Sequence, residues 1–182
     1  MSQEKLQEIL EKHKKWLNKE QGGERADLSG CDLRHTDLRG ADLRGAYISD
    51  SNLIGADLFG ADLQHADLSH SFFNQANLRN SDLHYADLRY ADLCNSDLRY
   101  SDLQGTDLDF SCLPLWCGSL SAHFDDRQLI QIAYHLVKAG LHSKNASDET
   151  KRELSKLIDF ANTFHRVDEC GKIERMIEND KD

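Results

Sequence analysis

The sequence predicts a solenoid with helical ends. Three observations carry that prediction. From Ala26 to Leu115 the chain divides, without insertion or deletion, into eighteen blocks of five residues, from ADLSG and CDLRH to ADLRY and SDLRY. The middle residue of each block, position i, is Leu in sixteen blocks, Ile48 in one and Phe73 in one. The residue at i−2 is always Ala, Ser, Thr or Cys. A period of five belongs to neither an α-helix nor an ordinary strand. A size rule at two positions beside free choice at i+1 and i+2 implies two inward and three outward residues per block. One block cannot bury its Leu alone, but stacked blocks make a continuous apolar column. Each buried Leu contributes roughly 1.5–3 kcal/mol, so the column drives folding of an otherwise polar chain.

The first element, residues 1–25, is expected to be a capping helix over about residues 2–19. Leu6, Ile9, Leu10, His13, Trp16 and Leu17 recur at spacings of three and four, and Gly22 and Gly23 end the pattern. An open solenoid exposes its first coil and needs a cap, so Trp16 is expected over the first Leu layer, with His13 also in a packing role.

Residues 26–115 form the second element. The i−1 residue is Asp or Asn in fifteen blocks, Tyr47, Phe72 and Cys112 being the exceptions. These blocks resemble the A-(D/N)-L-x-x motif of the pentapeptide-repeat family, over about half the chain. The resemblance implies an all-β solenoid, a right-handed quadrilateral β-helix with four blocks per coil. Eighteen blocks then make about 4.5 coils, roughly 22 Å tall at strand spacing. His13-x-x-Trp16-Leu17 before the repeats and Leu115-Trp116-Cys117-Gly118 after them look like uncharacterised bacterial and phage members of the same family.

Residues 116–182 are the third element. The phase is expected to be lost after Leu115, with residues 116–120 turning off the last coil. Leu129, Ile130, Ile132, Ala133, Leu136 and Val137 give a helix over 126–139, capped by Asp125 or Asp126 and ended by Gly140. Leu154, Leu157, Ile158, Ala161 and Phe164 give a second over 148–164. The short connection predicts an antiparallel hairpin that caps the coil, covers a rod face or joins two copies, leaving monomer and homodimer both open.

Net charge is −10, placed unevenly. Residues 26–115 hold six Arg and fifteen Asp, without Lys or Glu, for −9. An acidic rod disfavours direct nucleic-acid binding and favours basic protein partners. No apolar run approaches the ~20 residues of a membrane span, and the charged start MSQEKLQEIL lacks a signal-peptide core, so a cytoplasmic location is expected. Five irregularly spaced Cys fit reduced thiols, with Cys31 standing in for Ala in the core.

With residues twenty apart stacked, as the resemblance implies, the outer faces differ. Asp42, Asp62, Asp82 and Asp102 form one column, with no partner breaking it; each Asp is expected to accept a turn amide, a role Asn52 and Asn77 can share. His70, Tyr90 and Phe110 form an aromatic column at i+2, flanked by His65 and Tyr85, with Tyr100 on a third corner. Lower corners carry Gly30, Gly40, Gly45, Gly55 and Gly60. Ile54 and Phe72 point outward on neighbouring coils of a third face, which is expected to be covered. All six repeat Arg sit at i+1, and Arg39, Arg79 and Arg99 share a face. The candidate protein contacts are therefore Asp42, Asp62, Asp82, Asp102, Ile54, Phe72, Tyr85, Tyr90 and Tyr100.

No phosphate-binding loop, dinucleotide fingerprint or nucleophile elbow occurs. Cys117, His142, His165, Asp168 and Cys170 match no ligand spacing, so no catalytic residue, cofactor or metal is expected. The leading functional expectation is a non-catalytic interaction or scaffold module. The family resemblance implies an alternative: a DNA mimic that binds a type II topoisomerase (gyrase) and inhibits or protects it.

Overall fold

Most backbone N–H groups of a repeat block have a recurrent acceptor, and that accounting fixes the fold. The structure, a computed structural model, describes residues 1–113, 122–124, 129, 132–133, 137, 141 and 147–158. In the block of Leu28 and those above it, the i amide donates to the coil above, as Leu28 does to the Tyr47 carbonyl at 2.7 Å. The i+2 amide does the same, Gly30 to Ser49 at 2.9 Å, while the i−1 amide donates downward, Tyr47 to Ala26 at 2.9 Å. The i−2 amide closes a turn onto the preceding Leu, Cys31 to Leu28 at 3.1 Å. The i+1 amide is left, and the i−1 side chain takes it: Ser29 N–H donates to Asp27 Oδ1 at 3.1 Å and Gln64 N–H to Asp62 Oδ1 at 3.2 Å. Asn52 and Asn77 accept in the same way from Ile54 and Arg79, at 3.2 and 3.3 Å. A buried or half-buried amide without an acceptor costs about 1–3 kcal/mol, which is why Asp and Asn dominate i−1.

The i+2 residue of every block from Gly30 to Phe110 has positive φ. Positive φ at the third turn position is the type II arrangement, which favours Gly and Asn. With a turn every five residues, only single-residue parallel bridges form instead of long strands. Their register is twenty residues: Asp27, Tyr47, Asp67, Asp87 and Asp107 bridge in sequence, and three equivalent series start at Asp32, Asp37 and Asp42. Four series define four faces of a β-helix solenoid, named here by their first inward residues: Leu28, Leu33, Leu38 and Leu43.

Inside, Leu28, Leu33, Leu43, Ile48, Phe73 and Leu103 have no solvent exposure. Phe73 is accommodated without a change of register, since Phe72 still bridges Asn52 and Asp92. The hydroxyls at i−2 are satisfied by carbonyls: Ser51 Oγ donates to Leu28 at 2.7 Å, and Thr106 Oγ1 to Leu83 at 2.8 Å. Cys31 is only partly buried, packed against the first layer.

Helix α1 spans Gln3–Leu17, with Ser2 as N-cap accepting from Lys5 N–H at 3.3 Å. Leu6 joins the core, with Ile9 and Leu10 packed against it. His13 is fully buried, and its Nδ1 accepts the Ala26 N–H at 3.0 Å, tying the helix to the first repeat. The expectation for Trp16 is corrected: it is 39% exposed and does not cover the Leu layer. Its ring stacks on His13 at 5.4 Å and meets the Arg25 guanidinium at 5.7 Å. Arg25 in turn lies over Tyr47 at 3.7 Å and bonds the Tyr47 hydroxyl at 2.6 Å. The smaller Leu6 and His13 fill the end of the column, and the indole serves an exposed cation–π cluster.

The ladder does not stop where the five-residue phase does. Asp102 bridges His123, Leu103 N–H donates to His123 at 2.9 Å, and His123 N–H donates to Ser101 at 2.9 Å. Ala122 and Phe124 pack against the core. Ala122-His123-Phe124 is thus a small–polar–large triplet that continues the Leu43 face at a spacing of twenty-one instead of twenty; one extra residue hides it from the count.

Residues 1–124 form one compact unit and 125–182 a second. In the second, Leu129, Ile132, Ala133 and Val137 are helical, as is Leu141, one residue beyond the Gly140 expected to end the first helix; the rest of the expected 126–139 helix lies outside the described residues. Helix α2 spans Asp148–Ser155, capped by Ser147, which accepts from Thr150 N–H at 3.1 Å; it ends earlier than the expected 148–164 helix, because the Lys156 and Leu157 amides donate three residues back, to Glu153 and Leu154, and make a turn. Val137 and Ile158 are buried. Residues 159–164 of the expected second helix, and Cys117, His142, His165, Asp168 and Cys170, lie outside the described residues. Among the described residues, no helix is long and apolar enough to cross a membrane.

Candidate protein-contact surface

One geometric rule organises the outside of the solenoid. The i+1 side chain of one coil lies beside the i−1 side chain of the next, eighteen residues on. Arg39 reaches Asp57 at 3.7 Å, Arg44 reaches Asp62 at 3.4 Å and Arg89 reaches Asp107 at 3.8 Å. Gln64 Nε2 donates to Asp82 at 2.7 Å, Asn74 Nδ2 donates to Asp92 at 3.0 Å, and His84 Nδ1 lies 3.5 Å from Asp102.

This rule corrects the reading of the Asp column. Asp42, Asp62, Asp82 and Asp102 do stack, but Arg44, Gln64 and His84 are interleaved with them. Arg44 also forks onto Asp42 at 2.8 and 2.7 Å, and that hydrogen bond holds the Asp42 carboxyl below its ordinary range. Asp62 shifts the other way: partial burial raises it, against the Gln64 amide and Arg44, with Asp42 and Asp82 adding repulsion.

The same slot corrects the reading of the cysteines. Cys94 and Cys112 occupy it on the Leu33 face and are joined by a disulfide, Cα–Cα 5.7 Å; among the described cysteines only Cys31 is free. Ile54 and Phe72 occupy the equivalent slot two coils lower. They are therefore paired positions rather than one column: Phe72 stacks on Asn52. Phe72 is 48% exposed and Ile54 half-buried.

Five of the six repeat Arg fork onto the Asp two residues earlier, as Arg99 does onto Asp97 and Arg39 onto Asp37; Arg39 thereby holds Asp37 at about 2. Arg79 departs because its block has Asn77, whose amide donates to Asp57 at 2.8 Å. Arg79 Nε is buried with no hydrogen-bond partner among the described residues.

Charge therefore differs by face. The Leu28 face carries six Asp and one Arg, the Leu43 face four Asp and one Arg, the Leu33 face two Asp and one Arg, and the Leu38 face three of each. The two acidic faces are neighbours around the coil and hold −8 of the repeat charge of −9, although one of their carboxylates, Asp109, is buried.

Two aromatic ladders run along the corners of the Leu28 face. His70, Tyr90 and Phe110 stack at 4.8 and 4.9 Å with nearly parallel rings, and His65 stacks on Tyr85 at 5.3 Å. Tyr85, Tyr90 and Phe110 remain 60%, 51% and 48% exposed. Above Tyr85 the corner is Gly105, where a Cβ would lie 2.5 Å from the ring. Tyr100 is exposed on the corner after the Leu38 face, apart from both ladders.

The structure thus brings Tyr85 and Tyr90 together with the acidic Leu28 face, places Asp42, Asp62, Asp82 and Asp102 on the adjoining face, and sets Ile54 and Phe72 elsewhere. Sequence reasoning missed Arg44, Gln64, His84 and the disulfide; the eighteen-residue spacing within a twenty-residue register is the signal that finds them.

The family model "Pentapeptide repeats" matches the chain in eight copies, over residues 26–64, 56–89 and 76–113. Solved structures similar to the chain include a pentapeptide repeat protein from Nostoc, with 29% identity, 56% of this chain and 86% of that chain covered and a TM-score of 0.34. Another, from the Arabidopsis thaliana thylakoid lumen, has 28% identity, coverage of 70% and 84%, and a TM-score of 0.32. QnrB1, a plasmid-mediated fluoroquinolone resistance protein, has 19% identity, coverage of 62% and 69%, and a TM-score of 0.31. No curated protein sequence matched the chain.

Proposed function

The chain belongs to the pentapeptide-repeat family through residues 26–113, and on that premise we propose that it is a non-catalytic interaction module, a stiff acidic scaffold that engages a basic protein surface. In this reading residues 1–25 cap a right-handed quadrilateral rod of about 4.5 coils, the Ala122-His123-Phe124 triplet adds to its last coil, and residues 125–182 form a separate helical region. The observation that carries it is the one-sided charge: two adjacent faces hold −8 of −9. Fields from clustered charge steer association with basic partners. Tyr85 and Tyr90 add exposed rings suited to Lys and Arg side chains. Stiffness is supported by the accounting of backbone amides, which leaves little freedom within a block.

The test is capture of partners from the source cell's lysate by the immobilised protein, with crosslinking to locate the contact. Crosslinks on the Leu28 and Leu43 faces, lost on raising salt from about 0.1 to about 1 M as screening shortens from ~10 to ~3 Å, support the reading. Crosslinks confined to the Leu38 face, or retention at high salt, contradict it.

A second reading makes gyrase the partner, supported by the family resemblance together with the acidic side. It predicts that excess protein inhibits supercoiling by purified gyrase or relieves quinolone inhibition. Unchanged activity in both assays removes gyrase and leaves the first reading standing.

A further inference from the structure

Asp92, Cys94 and Cys112 place three donor atoms within 4.8 Å of one another on the Leu33 face, all on partly exposed side chains. The fold explains why. Asp92 and Cys112 are bridged, one directly above the other. Cys94 stands two residues from Asp92 and fills the slot opposite Cys112. The Asp92 carboxylate is held from two sides: its Oδ1 accepts the Cys94 N–H at 3.0 Å, and its Oδ2 accepts from Asn74 Nδ2 at 3.0 Å. Asn74 also donates to the Cys94 carbonyl at 3.4 Å. The three side chains are thus set by backbone register and by a supporting amide.

We propose that this trio is a redox-gated site for a divalent cation of the zinc class. With the disulfide closed, the two sulfurs bond to each other and the site takes no metal. A dithiol reductant breaks the S–S bond: two electrons and two protons pass to Cys94 and Cys112, and the reductant leaves as its own disulfide. Binding of a divalent cation then displaces both thiol protons, leaving two thiolates and one carboxylate on the metal and a fourth position for water. Two soft sulfurs with one carboxylate oxygen form a donor set that suits zinc. Tetrahedral zinc holds two thiolates about 3.7 Å apart, a span open to two cysteines whose Cα atoms are 5.7 Å apart. Electrostatics favours the same outcome. The only repeat Arg of this face is Arg34, sixty residues and three coils below Cys94. Three anionic donors this close repel one another unless a cation joins them. At Arg39–Asp57, Arg44–Asp62 and Arg89–Asp107 the slot holds a guanidinium beside a carboxylate; here a bound cation takes the place of the guanidinium.

Cobalt(II) serves as the probe, because thiolate ligation gives it intense charge-transfer absorption. Full-length protein is titrated after reduction with a phosphine and, in parallel, with the disulfide intact. The proposal expects one equivalent bound with thiolate absorption in the reduced protein and none in the oxidised. Cys94→Ser and Cys112→Ser each abolish it, Cys31→Ser leaves it unchanged, and Asp92→Asn, which keeps the turn acceptor, weakens affinity about tenfold or more. No thiolate absorption in the reduced wild type overturns the proposal, as does absorption that survives both Cys94→Ser and Cys112→Ser. Unchanged affinity in Asp92→Asn overturns the three-donor site. The comparison of oxidised with reduced wild type needs no variant to fold.

Discussion

The Leu38 and Leu43 faces are built from the same blocks, yet the first carries three Asp and three Arg and the second four Asp and one Arg. Their inner residues are interchangeable: Leu58 and Leu63 are both without exposure, and Ala56 and Ala61 are both 1% exposed. Their i−1 residues do the same work on the i+1 amide, as Asp57 does for Phe59 and Asp82 for His84. What differs is the occupant of i+1, which is Arg on most rungs of one face and Arg44, Gln64, His84 and Gln104 on the other. The fold therefore constrains i−2, i−1 and i, and leaves the surface charge to i+1.

The largest expected effects test the claim that the two faces are equivalent inside. Leu58→Ala and Leu63→Ala should each destabilise by about 2–5 kcal/mol and by similar amounts in urea unfolding. A loss at one without the other would place the difference between the faces in the core. Next comes the turn amide. Asp57→Ala and Asp82→Ala should each cost about 1–3 kcal/mol, whereas the Asn substitutions should cost little, because Asn52 and Asn77 already serve as acceptors. An Asn substitution as costly as Ala would show that charge, not the acceptor, is what position i−1 needs.

Removing an aromatic rung is expected to do less. Tyr90 stacks on both His70 and Phe110, so Tyr90→Asn, which tolerates the positive φ of 60°, should lose about 1 kcal/mol in thermal unfolding. No loss would leave the ladder without a stabilising role.

The smallest effects distinguish the faces by pH. Asp97, on the Leu38 face, has a carboxyl lowered mainly by its hydrogen bond to Arg99. Its stabilisation is present above the unfolded value near 4 and is lost as pH falls through the folded one. Asp62, on the Leu43 face, is raised by burial. The fold then disfavours its ionised form, a cost absent well below pH 4 and fully present once pH exceeds the folded value. Asp97→Asn should therefore lower the melting temperature at pH 7, by less as pH falls through the folded value, and Asp62→Asn should raise it at pH 7 but not well below pH 4. Shifts of the same sign in both variants would contradict the assignment.

Much of the inside was legible in the sequence because the repeat states it directly. Leu at i, small residues at i−2 and Asp or Asn at i−1 are each demanded by one buried position or one amide. The aromatic ladders were legible too, since residues twenty apart stack. The cross-coil slot was not, because it joins different positions of different blocks: Arg44 with Asp62, and Cys94 with Cys112, are visible only when i+1 is compared with the next coil's i−1. Ala122-His123-Phe124 escaped because one extra residue breaks a count of twenty, although the hydrogen-bond ladder tolerates it. Trp16 was misplaced because helical periodicity gives a face but not the docking angle. That angle is set by the His13 bond to Ala26 and by Arg25 packed on Tyr47.

The central claim is that the acidic side makes the functional contact, and two matched triple variants test it most directly. Asp62→Asn, Asp82→Asn and Asp102→Asn together alter the Leu43 face; Asp37→Asn, Asp57→Asn and Asp97→Asn together alter the Leu38 face. Both change net charge by the same amount and keep every turn acceptor. Measured against the captured partner, the first triple is expected to weaken binding about tenfold or more, each rim charge contributing about 0.5 kcal/mol, and the second to leave it within about twofold. Equal losses from the two triples would mean that only total charge matters, and a loss confined to the second would contradict the account.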